Sequence, residues 1–190
     1  HVMAEALMLD ARAQARSLRL SVLDGAFYAI MLGCSESFLG AFAVELGHSS
    51  INIGLLASIP MLAGALAALG SGLGVSIFGS RRRFVVVGAA LQALSHVGFW
   101  WLAVSNERAL APFLLFKVCF WVSGSAIGPA WGTWMAHLTE NLDRERYFAW
   151  RSSIVQGVLV VSLGGAGLLL NGRVGGALLS MYGVLFVVAM

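Results

Sequence analysis

Residues Gly128–Arg151 read GPAWGTWMAHLTENLDRERYFAWR, and their reading decides the fold. An apolar, tryptophan-bearing run ends near Leu138, a charged turn follows, and a second apolar run opens near Phe148. Six acidic or basic side chains fall here: Glu140, Asp143, Arg144, Glu145, Arg146 and Arg151. The long segments on either side carry almost no charge. A charged knot between two apolar runs is what a membrane-spanning chain shows where a connection meets water.

Composition agrees with that solvent. The chain has 190 residues, of which 59% are hydrophobic and 11% charged. Its mean hydropathy is +0.85. A soluble domain carries about 25% charged residues, so too few polar side chains remain here to cover a water-facing surface. The 23 glycines suit close packing between transmembrane helices. The net charge of +3 comes from short clusters between apolar runs and not from one basic face, which argues against a nucleic-acid partner. Cys34 and Cys119 lie inside apolar runs, without metal-ligand spacing or a disulfide framework. No nucleophile–base spacing, phosphate loop or zinc motif appears, so neither an enzyme nor a metal or cofactor site is expected.

Working outward from the knot gives six spans at about 20 residues per crossing. They run roughly from Leu23 to Leu46, Ile51 to Phe78, Phe84 to Val104, Leu110 to Leu138, Phe148 to Leu170, and Val174 to the last residue, Met190. The sixth is slightly short, and no positive charge closes it. Either it is trimmed or the sequence is half of something larger. His1-Val2 before Met3 reads as a cloning remnant, so residues 1–3 are set apart. Residues 4–21, where leucines alternate with charges, read as an amphipathic segment on the membrane surface. Residues 22–190 form the transmembrane domain.

Arg12, Arg16, Arg19, Arg81, Arg82, Arg83, Arg144, Arg146 and Arg151 fall on one side of these spans, and Arg108 and Arg173 on the other. Nine against two makes the first side, with the N-terminus, cytoplasmic.

Few residues inside the spans could carry chemistry. Glu36 lies 13 residues past Leu23, roughly 20 Å into the membrane from the cytoplasmic side at 1.5 Å per residue. Lys117, the sole lysine, lies 7 residues past Leu110, roughly 10 Å below the outer side. In a core about 30 Å thick the two meet at similar depth. Ionisable groups there are costly unless paired or facing water, and they mark pathways. Glu36 and Lys117 are therefore expected to line a polar cavity and to form an ion pair, with Ser35, Ser37, Trp121 and Gln156 as further pathway candidates. The competing reading has Lys117 snorkelling outward and Glu36 bonding a neighbouring helix. Asp24 reads as a helix N-cap. His96 reads as a bond across helices or a proton carrier. Trp131, Trp134 and Trp150 read as part of an interfacial aromatic belt.

Gly72–Arg83, GLGVSIFGSRRR, resembles the cytoplasmic loop between the second and third helices of the major facilitator superfamily. Gly72 and Gly79 stand at its two glycine positions, and Arg81, followed by Arg82 and Arg83, at a basic one. The acidic position holds Ser76, and the basic position after it holds Ile77. The opening LDGAFYAIMLGCSESFLGAFAVELG, and the pair PAWGTWM and RERYFAWRSSI, are similar to a bacterial branch of that family.

The resemblance implies an all-α membrane protein of the bacterial inner membrane, built as two inverted three-helix repeats. It implies a gating role for the Gly72–Arg83 loop and a hinge at Arg144, Arg146 and Arg151. Members of the family have twelve spans, with the solute site at the bilayer midplane between two six-helix halves. The first and fourth helices of a half line that site, and here those helices carry Glu36 and Lys117. The implied function is secondary transport of an undetermined small molecule by alternating access. The chain would be one half, completed by a second six-helix half or by homodimerisation about an axis along the membrane normal. The alternatives are a non-transporting scaffold, such as an assembly factor or accessory subunit, and lipid movement along an open groove. Ser76 and Ile77 favour the scaffold; Glu36 and Lys117 favour transport.

Overall fold

The computed structural model describes the backbone of residues 2–140, 142–172 and 176–190, and side chains from residue 13 onward within those ranges. Every regular element is helical among the described residues. In order they are α1 (Val2–Cys34), a 3₁₀ turn (Glu36–Phe38), α2 (Leu39–Glu45), α3 (Ser50–Leu69), α4 (Ser71–Phe78), α5 (Arg81–Ser105), α6 (Leu110–Leu138), α7 (Arg144–Leu170) and α8 (Gly176–Val188). Five stretches are long and apolar enough to cross a membrane: Ala13–Glu45, Ser50–Leu69, Arg81–Ser105, Leu110–Leu138 and Arg144–Leu170. The expected sixth span is the shorter apolar helix α8, of 13 residues. The expected outer position of Arg173 lies outside the described residues, as does the side chain of Arg12.

Several boundaries differ from the sequence expectation. The segment set apart as 4–21 continues into the first span without a break. Asp24 consequently sits deep inside α1, where every backbone N–H already has an acceptor, and cannot cap it. The second span divides at Gly70, which keeps a near-helical φ of −81° and ψ of 0°. Gly72 therefore lies in a helix and not in a loop. The connection after it is only Gly79-Ser80. Gly79 closes α4 at a φ of +64°, a left-handed conformation that costs glycine little. Arg81, Arg82 and Arg83 form the first turn of α5. Cations are disfavoured at that positive end of the helix dipole, so helix stability does not account for three of them there.

The helices pair laterally. α1 runs along α7, α6 lies between α3 and α5, and α5 also packs on α8. Glycines set the approach. A Cβ on Gly33 would stand 2.7 Å from Cβ of Ser162 and 3.0 Å from the backbone N of Leu163 on α7. One on Gly64 of α3 would meet Ser125 and the Trp121 carbonyl of α6. Where lipid is as apolar as the side chains, close van der Waals contact supplies the attraction.

The apolar core is concentrated toward one end. Phe42, Phe99, Phe113 and Phe186 are fully buried there, with Leu39, Leu102 and Leu185. Their rings pack edge-on or tilted, with Phe42 touching Phe113, Tyr182 and Phe186 at centroid distances of 5.1–5.6 Å. The other end gathers the arginine-bearing segments. Tyr147 Oη donates to the Leu18 carbonyl at 3.1 Å, and Gln14 Nε2 donates to the Leu138 carbonyl at 2.9 Å. These bonds draw α1, the end of α6 and the start of α7 together.

Candidate functional site

The first span breaks in the middle of the bundle. α1 ends at Cys34, Ser35 takes φ −122° and ψ −74°, and Glu36–Phe38 tighten into the 3₁₀ turn before α2 resumes the crossing. The local sequence is Ser-Glu-Ser without proline. Serines offer the backbone an alternative to the helical ladder, and Ser37 does so, its Oγ donating to the Leu32 carbonyl at 2.9 Å. The break turns the Glu36 carboxylate toward α6.

There it meets two side chains one helical turn apart. Lys117 Nζ lies 3.8 Å from Glu36 Oε1, and Trp121 Nε1 donates to the same oxygen at 3.3 Å. Positions i and i+4 share a helix face, so a single face of α6 presents both donors. The pair is largely withdrawn from its surroundings, with side-chain exposures of 10% for Lys117 and 19% for Glu36. The expected ion pair is present, and Lys117 does not snorkel. Among the described residues, Glu36 Oε2 and the buried Ser35 Oγ have no hydrogen-bond partner. One carboxylate oxygen is thus held by a cation and an indole, while the other can accept a further donor. Chemically, this is a charge-balanced site that can take up a proton or a donor group, at the cost of loosening the lysine.

The remaining pathway candidates are not gathered here. Gln156 is exposed on α7, nearer its arginine-bearing start, and makes no side-chain hydrogen bond among the described residues. Ser37 is exposed beside the break. His96 is fully buried, but its Nδ1 pairs with the Gln92 carbonyl of its own helix at 3.0 Å. Its ring stands edge-on to Phe99 and Phe120.

At the arginine-rich end the expected hinge residues separate. Arg144 and Arg146 are exposed. Arg151 is half-buried: its Nε donates to the carbonyl and hydroxyl of Ser21, at 3.1 and 3.2 Å, and its guanidinium lies 4.7 Å above the Trp131 ring. One side chain therefore ties α7 to α1 and α6. Trp131, placed in a belt by its position, is a stacking partner. The sequence reading also missed the seam between α1 and α7. Ser21, Gly25, Ala29 and Gly33 recur every fourth residue and are all buried. That small-residue spacing was the available signal.

No protein-family model matches the chain, and neither does any curated protein or solved structure.

Proposed function

We propose that this chain is a membrane transporter of the major facilitator type, present as one half, with Glu36 and Lys117 on the path of the transported solute or ion. The observation that carries the reading is the Glu36–Lys117–Trp121 cluster. Its ionisable pair occupies a break in the first span, where burying charge is costly even when paired, and ionisable groups kept inside spans mark pathways. Broken helices with exposed polar backbone are how transporters build midplane sites.

The pairing of helices supports an inverted repeat. Exchanging the first span with the fourth, the second with the fifth and the third with the sixth converts the α1–α7 pair into α6–α3. It returns α5–α8 to itself. The counterpart of the extensive α5–α6 contact is the slighter α1–α8 contact, so the two repeats are unequal. α3 and α7 are the least buried of the long helices, which leaves a face for a second half or a second copy. The arginine distribution orients the N-terminus toward the cytoplasm.

The test is uptake into proteoliposomes of a solute first selected by thermal shift across metabolite classes, with and without a pH gradient. Glu36→Gln should abolish gradient-driven uptake while leaving the protein folded. An unchanged gradient dependence would remove Glu36 from the mechanism. Mass in detergent checks completion by a second copy, and a strict monomer that still transports would exclude it.

A scaffold without transport is the second reading. Ser76 and Ile77 favour it: Ser76 Oγ merely bonds the Leu73 carbonyl of its own helix, and Ile77 is 80% exposed, so neither supplies a gating charge.

A further inference from the structure

Between α1, the start of α5 and the end of α6 lies a cavity of about 610 Å³ at the arginine-rich end. We infer that it binds the phosphate-bearing headgroup of an anionic phospholipid. The inference is independent of the transport reading.

The chemistry of the walls points to an amphiphile. Arg16 and Arg82 line the cavity from two different helices, and neither has an ion-pair or hydrogen-bond partner among the described residues. The acidic residue on its wall is Asp24. Asp24 is one carboxylate against two arginines, it forms no ion pair with either among the described residues, and a third guanidinium, that of Arg151, packs against the neighbouring Gly25. The wall therefore keeps positive charge to spare. Two arginines lining one cavity from separate helices suit a phosphodiester, whose oxygens accept bidentate bonds from arginine.

The rest of the lining is apolar and aromatic. Trp131 and Trp134 contribute indoles, and Leu20 and Val86 remain 53% and 59% exposed at its edge. Indoles stabilise the headgroup level of a bilayer, and exposed aliphatic side chains beside the charges suit the glycerol and upper acyl carbons. A free phosphate would use only the arginines. The volume is within the roughly 300–1,000 Å³ of small-molecule sites. Basic pockets between transmembrane helices recognise anionic headgroups by this combination.

The experiment is native mass spectrometry of the full chain in neutral detergent with an equimolar mixture of dioleoyl phosphatidylglycerol and dioleoyl phosphatidylcholine. We expect preferential retention of phosphatidylglycerol. The preference should fall about fivefold for each arginine removed, the factor set by about 1 kcal/mol per basic side chain at an anionic surface. It should vanish in Arg16→Gln/Arg82→Gln and persist in Arg16→Lys/Arg82→Lys. It should also persist in Arg108→Gln, which alters the opposite end. Equal retention of the two lipids by the unaltered chain would overturn the proposal, as would a preference unchanged in the double glutamine variant. Displacement of the lipid by millimolar glycerol phosphate would reassign the site to a soluble phosphate and overturn it as a lipid site. If the double glutamine variant does not fold, Arg82→Gln alone gives the same comparison.

Discussion

The two ends of the bundle are built on different principles. At one end, Phe42, Phe99, Phe113 and Phe186 pack among Leu39, Leu102 and Leu185, and the helices are held by interlocked rings. At the other, the contacts are a few directed hydrogen bonds from Gln14, Tyr147 and Arg151, around a cavity lined by arginines and indoles. Thr139 is the one arginine-end residue among the largest fully buried side chains. The Glu36–Lys117 pair lies between the two regimes. A dry, close-packed end resists separation because its contacts are numerous and short-ranged. Directed bonds around a cavity can be broken and remade one at a time. The difference teaches that separation of these helices starts at the arginine-rich end.

The largest expected effect tests the aromatic end. Phe42→Ala should cost about 3 kcal/mol of unfolding free energy in detergent, the low end for a buried phenylalanine. The low end applies because an unfolded chain in micelles also keeps its rings out of water. Trp134→Ala, at the partly exposed arginine end, should cost under about 1 kcal/mol. Equal losses in reversible unfolding would erase the distinction.

A second comparison uses one helix seam at two depths. At Gly33 an added methyl would meet the Ser162 Cβ and the Leu163 backbone of α7, which cannot yield without moving the helix. At Gly25 it would meet the Arg151 guanidinium and a Val155 methyl, which are side-chain ends. Gly33→Ala should therefore cost about 2 kcal/mol, typical of overpacking, and Gly25→Ala clearly less. Melting temperatures measured in one detergent would decide, and the reverse order would show that the arginine end is the stiffer.

Next in size is Arg151. Removing its two bonds to Ser21 and its stacking on Trp131 should cost about 1.5 kcal/mol, the low end for hydrogen bonds from a charged group. Arg144→Ala, at an exposed position, should stay within about 0.5 kcal/mol. Comparable values for the two would mean that Arg151 acts through charge alone.

Much of this was legible in the sequence because apolar length and charge spacing are themselves the physics of a membrane span. The limits expected for the fourth span, Leu110–Leu138, are those of α6. Depth counted at 1.5 Å per residue brought Glu36 and Lys117 to one level, and the pair forms. Less legible was anything decided by a neighbouring helix. Asp24 looked like a cap because it precedes glycine at the start of an apolar run. The helix continues through it because residues before it also pack, through Gln14, Ser17 and Ser21 near α6 and α7. The break at Ser35 left only a weak trace, two serines flanking a glutamate. Nor could a count of arginines tell Arg151, stacked and bonded, from Arg144 in solvent.

The smallest expected effect separates the two ends by salt. Ser49 caps α3 beside the aromatic end, its Oγ accepting from Asn52 N at 3.3 Å. Asp143 caps α7 at the arginine-rich end, its Oδ1 accepting from Arg146 N at 3.1 Å. Each cap satisfies one of the N–H groups that a helix start leaves without an internal partner, and Ala at either position should cost about 0.5–1 kcal/mol. Asp143 additionally places a negative charge at the positive end of the α7 dipole, a further 0.3 kcal/mol or about that at an exposed site. It does so next to Arg144 and Arg146. Asp143→Ala should therefore cost more than Ser49→Ala at low ionic strength, and the excess should shrink as salt rises toward about 1 M, where screening acts over roughly 3 Å. The Ser49 cost should not move. A salt-independent difference would mean that the arginine-rich end is held by geometry, as the aromatic end is, and not by screened charge.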